Sequence, residues 1–139
     1  ELNQNGNLRI EGTLSTGSSR TIKHDIVPVD TKKVLDQVLS MPVSEWTYNH
    51  DKGIRHMGPM SEDFHKTFGL GGSEKQLTTT DISGVALAAI QGLNKEKDRE
   101  IEALRKEKDR EIKALQTEVS QLRAIVQNLV AKGKIALVE

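Results

Sequence analysis

Cysteine is absent from the 139-residue chain. That excludes disulfide frameworks, cysteine-based zinc sites and cysteine nucleophiles. Aromatic side chains are nearly as scarce: Trp46, Tyr48, Phe64 and Phe68 make up 3% of the sequence, and hydrophobic residues in all only 35%. A domain of this length normally buries several large side chains, so the supply suits a small globular part joined to an elongated one. Neither sign of charge is in excess. With 20 basic and 20 acidic residues the formal net charge is zero, which argues against a general nucleic-acid binder. No apolar run approaches the roughly 20 residues of a membrane span, so no membrane partner is expected. The chain opens on Glu1 rather than Met and reads as a fragment whose function depends on what lies upstream.

Residues 1–17 are polar and rich in Gly, Ser and Thr, with Leu8, Ile10 and Leu14 on one parity. Period two predicts a strand, too short to be stable without neighbouring strands of its own domain or of other copies. A loop follows over 15–19. Ile22 to Val29 is β-prone, with Pro28 breaking the run. Asp30 or Thr31 caps a predicted helix whose Val34, Leu35, Val38 and Leu39 share one face, and Pro42 ends it. Ser44–Tyr48 and Ile54–Met57 read as a hairpin around the turn 49–53, with Trp46 and Tyr48 on one face. Ser61 is expected to cap a second helix carrying Phe64 and Phe68, and Gly69 to stop it. Gln76–Thr80 reads as a short edge strand. The expected core is Trp46, Phe64 and Phe68 with Val34, Leu35, Val38 and Leu39.

Asp81 is the expected cap of a long helix. No proline occurs after it, and Gly133 is the expected terminator, giving a rod of roughly 75 Å. Within it, KEKDREIEALR at 95–105 is followed by KEKDREIKALQ at 106–116, a repeat of eleven residues. The stripe runs Ile90, Leu93, Lys97, Ile101, Leu104, Lys108, Ile112, Leu115. It then turns heptad through Val119, Leu122, Val126 and Leu129. Eleven-residue repeats give a straight or slightly right-handed coil, and heptads a left-handed one. A helix with that stripe exposed is not stable as a monomer, so an oligomer is expected. Lysines at seam positions leave the number of strands open on composition alone.

The other constellations have plain readings. His24, His50, His56 and His65 lack helical metal spacing, so no metal site is expected. The glycines at 69, 71 and 72 are not followed by Lys-Ser/Thr and read as a turn, not a phosphate loop. The basic residues of the long helix alternate with acids, as on a solvated coiled-coil face. Ser18 and Lys23 lie five apart. A serine needs a base to become a nucleophile, and a desolvated lysine can be one. Such pairs arise by chance in most polar loops, so spacing alone carries no weight.

Longer matches carry more. Ser18-Ser19-Arg20-Thr21-Ile22-Lys23-His24-Asp25-Ile26 resembles the S-D-x-R-L-K-x-N-I entry motif of the chaperone-of-endosialidase family, the C-terminal intramolecular chaperones of phage tailspikes, tail fibres and neck appendages. Arg55-His56-Met57-Gly58-Pro59-Met60-Ser61-Glu62-Asp63-Phe64 is similar to that family's R-H-I-G-P-M-A-Q-D-F. Phe68-Gly69-Leu70-Gly71 and the stretch from Asp81 to Leu93 resemble its F-G-L-G and D-x-x-G-V-A-L-A-A-I-Q-G-L. Trp46 stands at the family's strand tryptophan. The resemblance covers residues 18 to about 94. It departs at Ser19, where the family usually has Asp, and at Thr21, where it has Arg; Arg20 stands one position early.

The resemblance implies an α+β fold: a small mixed globular domain followed by a long C-terminal helix forming a parallel trimeric coiled coil. The implied domains are residues 1–17 as the end of an upstream β-rich fibre or spike, 18–80 as the chaperone and autoprotease domain, 81–133 as helix and coiled coil, and 134–139 as a tail. It implies a homotrimer that assists folding of a phage tail fibre, spike or appendage precursor in the host cytoplasm, then releases itself by single-turnover serine autoproteolysis. Carried over by position, Ser18 is the nucleophile and Lys23 its base, with no cofactor. Ser18 Oγ attacking the Gly17 carbonyl closes a five-membered ring, whereas its own carbonyl would require a strained four-membered one. The expected cut is therefore Gly17–Ser18, with Ser18–Ser19 as the alternative. Gly17 suits a strained turn. Two other readings compete: an uncleaved trimeric cap of a fibre, and a cleaved membrane-bound transcription factor of the myelin regulatory factor group. The second lacks a spanning segment after residue 94.

Overall fold

The computed structural model describes residue 8 and residues 10–136. It comprises two compact units, residues 1–93 and 94–139. The order of elements is a 3₁₀ turn Arg20–Ile22, helix α1 (Thr31–Ser40), strands β1 (Ser44–Tyr48) and β2 (Asp51–Gly58), helix α2 (Ser61–Phe68) and helix α3 (Thr79–Ala136). The fold is α+β.

In the first unit the helices start where side chains replace missing backbone partners. The Asp30 carboxylate accepts from the Lys32 and Lys33 amides at 3.0 and 3.2 Å and caps α1. Gly69 ends α2 in the left-handed region at φ 64°, where a side chain would be strained. The Gln37 side-chain amide reaches from α1 to the Thr67 carbonyl on α2. Leu35, Phe64, Val85, Ala88 and Ala89 form the buried core. Phe64 and Phe68 pack with ring centroids 4.9 Å apart. The first turns of α3 bring the small residue Gly92 against Thr31 and Leu35 of α1.

β1 and β2 pair antiparallel, with Ser44 opposite Gly58, Glu45 opposite Met57 and Trp46 opposite His56. A bulge then shifts the register so that Tyr48 faces Asp51. The hairpin is therefore tighter than the expected turn 49–53, and β2 starts three residues before Ile54. Trp46 lies 4.8 Å from Tyr48 and stacks on His56 at 4.6 Å, ring centroid to centroid. An ion pair joins Glu45 to Arg55 on the same hairpin.

Several expected elements differ. Of the expected strand around Leu8, Ile10 and Leu14, Leu8 forms a β-bridge and 10–14 is not a strand, while residues 1–7 and 9 lie outside the described residues. The β-prone run 22–29 is not a strand either. Ile22 closes the 3₁₀ turn, Asp25 adopts φ 51°, and Pro28 has no amide to donate. Residues 76–80 lead into α3 rather than pairing. Thr78, not Asp81, is the α3 cap: its Oγ1 accepts from the Asp81 amide at 3.1 Å and donates to the Asp81 carboxylate at 2.6 Å. Ser61 lies inside α2, where its hydroxyl donates to Glu62; Met60 precedes the helix with no side-chain cap. Gly133 does not stop α3, which reaches Ala136. Leu39 is 75% exposed and outside the core; it follows the last well-packed turn of α1.

The second unit is the remainder of α3. The eleven-residue repeat recurs in its contacts: Lys97 Nζ donates to Glu100 at 2.6 Å, and Lys108 Nζ to Glu111 at 2.7 Å. Glu100 raises the Lys97 pKa above its ordinary value of 10.5, first by hydrogen bonding and then by charge.

Candidate active site

Ser18 and Lys23 meet. Lys23 Nζ donates to Ser18 Oγ at 2.7 Å. Five extended residues would hold the two α-carbons about 17 Å apart, far beyond the span of a lysine side chain. The 3₁₀ turn removes that distance. Ile22 N–H donates to the Ser19 carbonyl and Lys23 N–H to the Arg20 carbonyl, each at 3.3 Å. Lys23 then leaves the turn in extended backbone, and its side chain returns to Ser18.

The neighbouring serine is engaged otherwise. Ser19 Oγ accepts from the Thr21 amide at 3.2 Å and shares a 2.8 Å hydrogen bond with the Thr21 hydroxyl. The two serines, equivalent in the sequence, therefore have different partners here. Gly17 lies under Ile22: a Cβ on Gly17 would sit 3.2 Å from Ile22 Cδ1. All of these residues are exposed to solvent in the single chain. In this contact Lys23 is the donor and Ser18 Oγ the acceptor.

Residues 18–69 match the family model described as chaperone of endosialidase.

This segment starts at Ser18 and ends at Gly69, and so takes in the 3₁₀ turn, α1, the hairpin and α2. The chaperone-of-endosialidase model is also named as that of a peptidase family. The similar stretch from Asp81 to Leu93 lies beyond the matched residues. No curated protein matches the chain.

The matched motifs occupy defined places. Arg55 and His56 are on β2, Gly58–Met60 forms the passage into α2, and Phe64 is the most buried large side chain, 2% exposed. His65 Nδ1 lies 2.9 Å from the Leu70 carbonyl, across the end of α2. Among the described residues no group of three metal-ligating side chains occurs, and no helix is long and apolar enough to cross a membrane. An open apolar cleft of about 730 Å³ is lined by Val34, Phe68, Val85 and Ala88 among others. Neither Ser18 nor Lys23 lines it, so the cleft and the serine–lysine pair are separate features.

Every apolar residue of the expected seam is on the surface of the single chain. Ile90, Leu93, Ile101, Leu104, Ile112, Leu115, Val119, Leu122, Val126 and Leu129 are each between 45% and 63% exposed. The roles of Ser19, Thr21 and Ile22 around the pair were not read from the sequence. The available signal was a small hydroxyl residue two positions before another, at the entry of a turn.

Proposed function

We propose that the chain is the C-terminal intramolecular chaperone of a phage tail fibre, spike or appendage, acting as a parallel homotrimer that then cuts itself free. The observation that carries this reading is the 2.7 Å contact between Lys23 Nζ and Ser18 Oγ, found at the first residues of the matched segment.

The chaperone role follows from the stripe on α3. Three helices joined along it hold their upstream segments at high effective concentration and in one register. Pairing strands between chains is the slow, aggregation-exposed step of a β-rich fibre. Removing the chaperone afterwards leaves the fibre without its assembly factor and therefore kinetically trapped.

The cut proceeds through the chain's own groups. Desolvated by neighbouring copies, Lys23 gives up its proton and becomes a base. It takes the hydroxyl proton of Ser18 as Oγ bonds to the Gly17 carbonyl carbon. The Gly17–Ser18 C–N bond breaks, and the leaving nitrogen takes that proton back from Lys23. Water then hydrolyses the resulting ester, leaving a Gly17 carboxylate and a Ser18 hydroxyl beside a free amine.

Intact mass on the purified 139-residue chain tests the reading. The expected product is residues 18–139. An unmodified chain that remains whole after trimerising has no peptidase activity and is an uncleaved cap.

A further inference from the structure

The serine–lysine pair is held by a turn that has little else to hold it. The turn is three residues long and buries none of them. Its two backbone hydrogen bonds, at 3.3 Å each, are longer than the usual 2.7–3.2 Å of N–H···O bonds. The best-formed contact in the turn is between side chains: the Ser19 and Thr21 hydroxyls, 2.8 Å apart. The same Ser19 oxygen also accepts from the Thr21 amide, an N-cap contact.

We infer that Ser19 and Thr21 are positioning residues for self-cleavage, a hydroxyl latch that closes the turn and so keeps Lys23 over Ser18. The inference rests on the reading of Ser18 as nucleophile and Lys23 as base. It assigns the two adjacent serines separate tasks. Ser18 Oγ faces the lysine and is free to attack Gly17. Ser19 Oγ spends its hydrogen-bonding capacity on Thr21 and stays out of the chemistry. Opening the latch lets residues 19–22 extend, and Lys23 then moves beyond reach of Ser18. Ile22 adds to the effect from the other side. Its Cδ1 sits over Gly17, so the turn that places the base also shapes the backbone at the bond to be cut.

The test compares Thr21→Val, Thr21→Ser, Ser19→Ala and the unmodified chain, each as the 139-residue protein. Cleavage rate constants are read by intact mass, and oligomeric state by sedimentation. Thr21→Val keeps shape and the amide that Ser19 Oγ accepts from but removes the hydroxyl, and is expected to slow cleavage about fivefold, the order of one lost side-chain hydrogen bond. Ser19→Ala is expected to be at least as slow. Thr21→Ser restores the hydroxyl and is expected to restore the rate, which a general loss of stability would not predict. The released fragment is expected to begin at Ser18 throughout. Cleavage of Thr21→Val at the unmodified rate overturns the latch while leaving the peptidase reading in place. A fragment beginning at Ser19 also overturns it, since Ser19 would then be the nucleophile. No cleavage of the unmodified chain overturns both.

Discussion

Gly92 of α3 and Thr31 of α1 approach so closely that no side chain fits between them. A Cβ on Gly92 would lie 2.2 Å from the Thr31 carbonyl oxygen and 3.1 Å from Leu35 Cβ. In an exposed helix, Gly→Ala stabilises by about 1 kcal/mol. Here the sign reverses, because the obstructing atom is backbone. Gly92→Ala is expected to destabilise the first unit by about 1–3 kcal/mol, the usual cost of overpacking. A urea titration followed by Trp46 fluorescence measures it; an unchanged midpoint would refute the close approach.

Burial separates two apolar positions, Phe64 and Leu39, that the helical periodicity of α2 and α1 treats alike. Phe64 is 2% exposed, so Phe64→Ala is expected to cost about 3–5 kcal/mol. Leu39, at 75% exposed, should tolerate alanine within about 0.5 kcal/mol. Thermal unfolding of the two variants side by side checks the ranking.

The exposed stripe of α3 predicts association. Sedimentation of the chain at micromolar concentration is expected to give three copies, and a monomer would contradict the proposed assembly. Replacing Ile112 and Leu115 together by asparagine should dissociate it, since each buried side chain contributes about 1.5–3 kcal/mol per chain.

Lys97 gives the long helix a slight dependence on alkaline pH. Its pKa is raised by Glu100, so its charged form is favoured when the helix is folded. The contribution is therefore complete below the unfolded value near 10.5 and fades as pH rises through the higher folded value. Helix content by circular dichroism is expected to be level across neutral pH and to fall only in strongly alkaline solution. Lys97→Gln should reduce that fall only slightly, since the pair is exposed and other lysines of α3 lose their charge in the same range.

Lys23→Ala and Lys23→Arg are both expected to stop self-cleavage while the oligomer still forms. Arginine keeps the charge but cannot give up its proton in a protein. Ser18→Ala should behave the same way. Processing of Lys23→Arg at the unmodified rate would show that residue 23 acts through charge and not as a base.

Elements bounded by local chemistry were legible in the sequence. Asp30 at the start of α1, Gly69 at the end of α2, the hairpin and the Phe64–Phe68 pair all depend on neighbours within a few residues. The misplaced elements depend on distant partners. Ile10 to Leu14 and Ile22 to Val29 have β-type patterns, but a strand needs a companion along its length, and neither run forms a strand among the described residues. Thr78 and Asp81 share a cap, and only geometry shows which of them stands outside the helix. At the site, the five-residue spacing of Ser18 and Lys23 gained meaning from motif resemblance, while the partners of Ser19 required coordinates. Gly92 in a helical stretch reads as a weak position; its packing reason appears only once α1 lies across it.

The two repeat lengths of α3 act together as a vernier. Consider parallel copies of this helix, one slid along the other. A slip of seven residues keeps the later seam matched, Ile112 to Val119 and Leu115 to Leu122, but sets Ile101 against Lys108 and Leu104 against Glu111. A slip of eleven matches Ile101 to Ile112 and Leu104 to Leu115, yet sets Ile112 against Arg123 and Leu122 against Gly133. Either scale alone tolerates a slip of its own length, and the change of scale puts mismatched seam positions into each such slip. In the proposed assembly, where chains come level before anything upstream zips, the change of period at Val119 is the graduation mark.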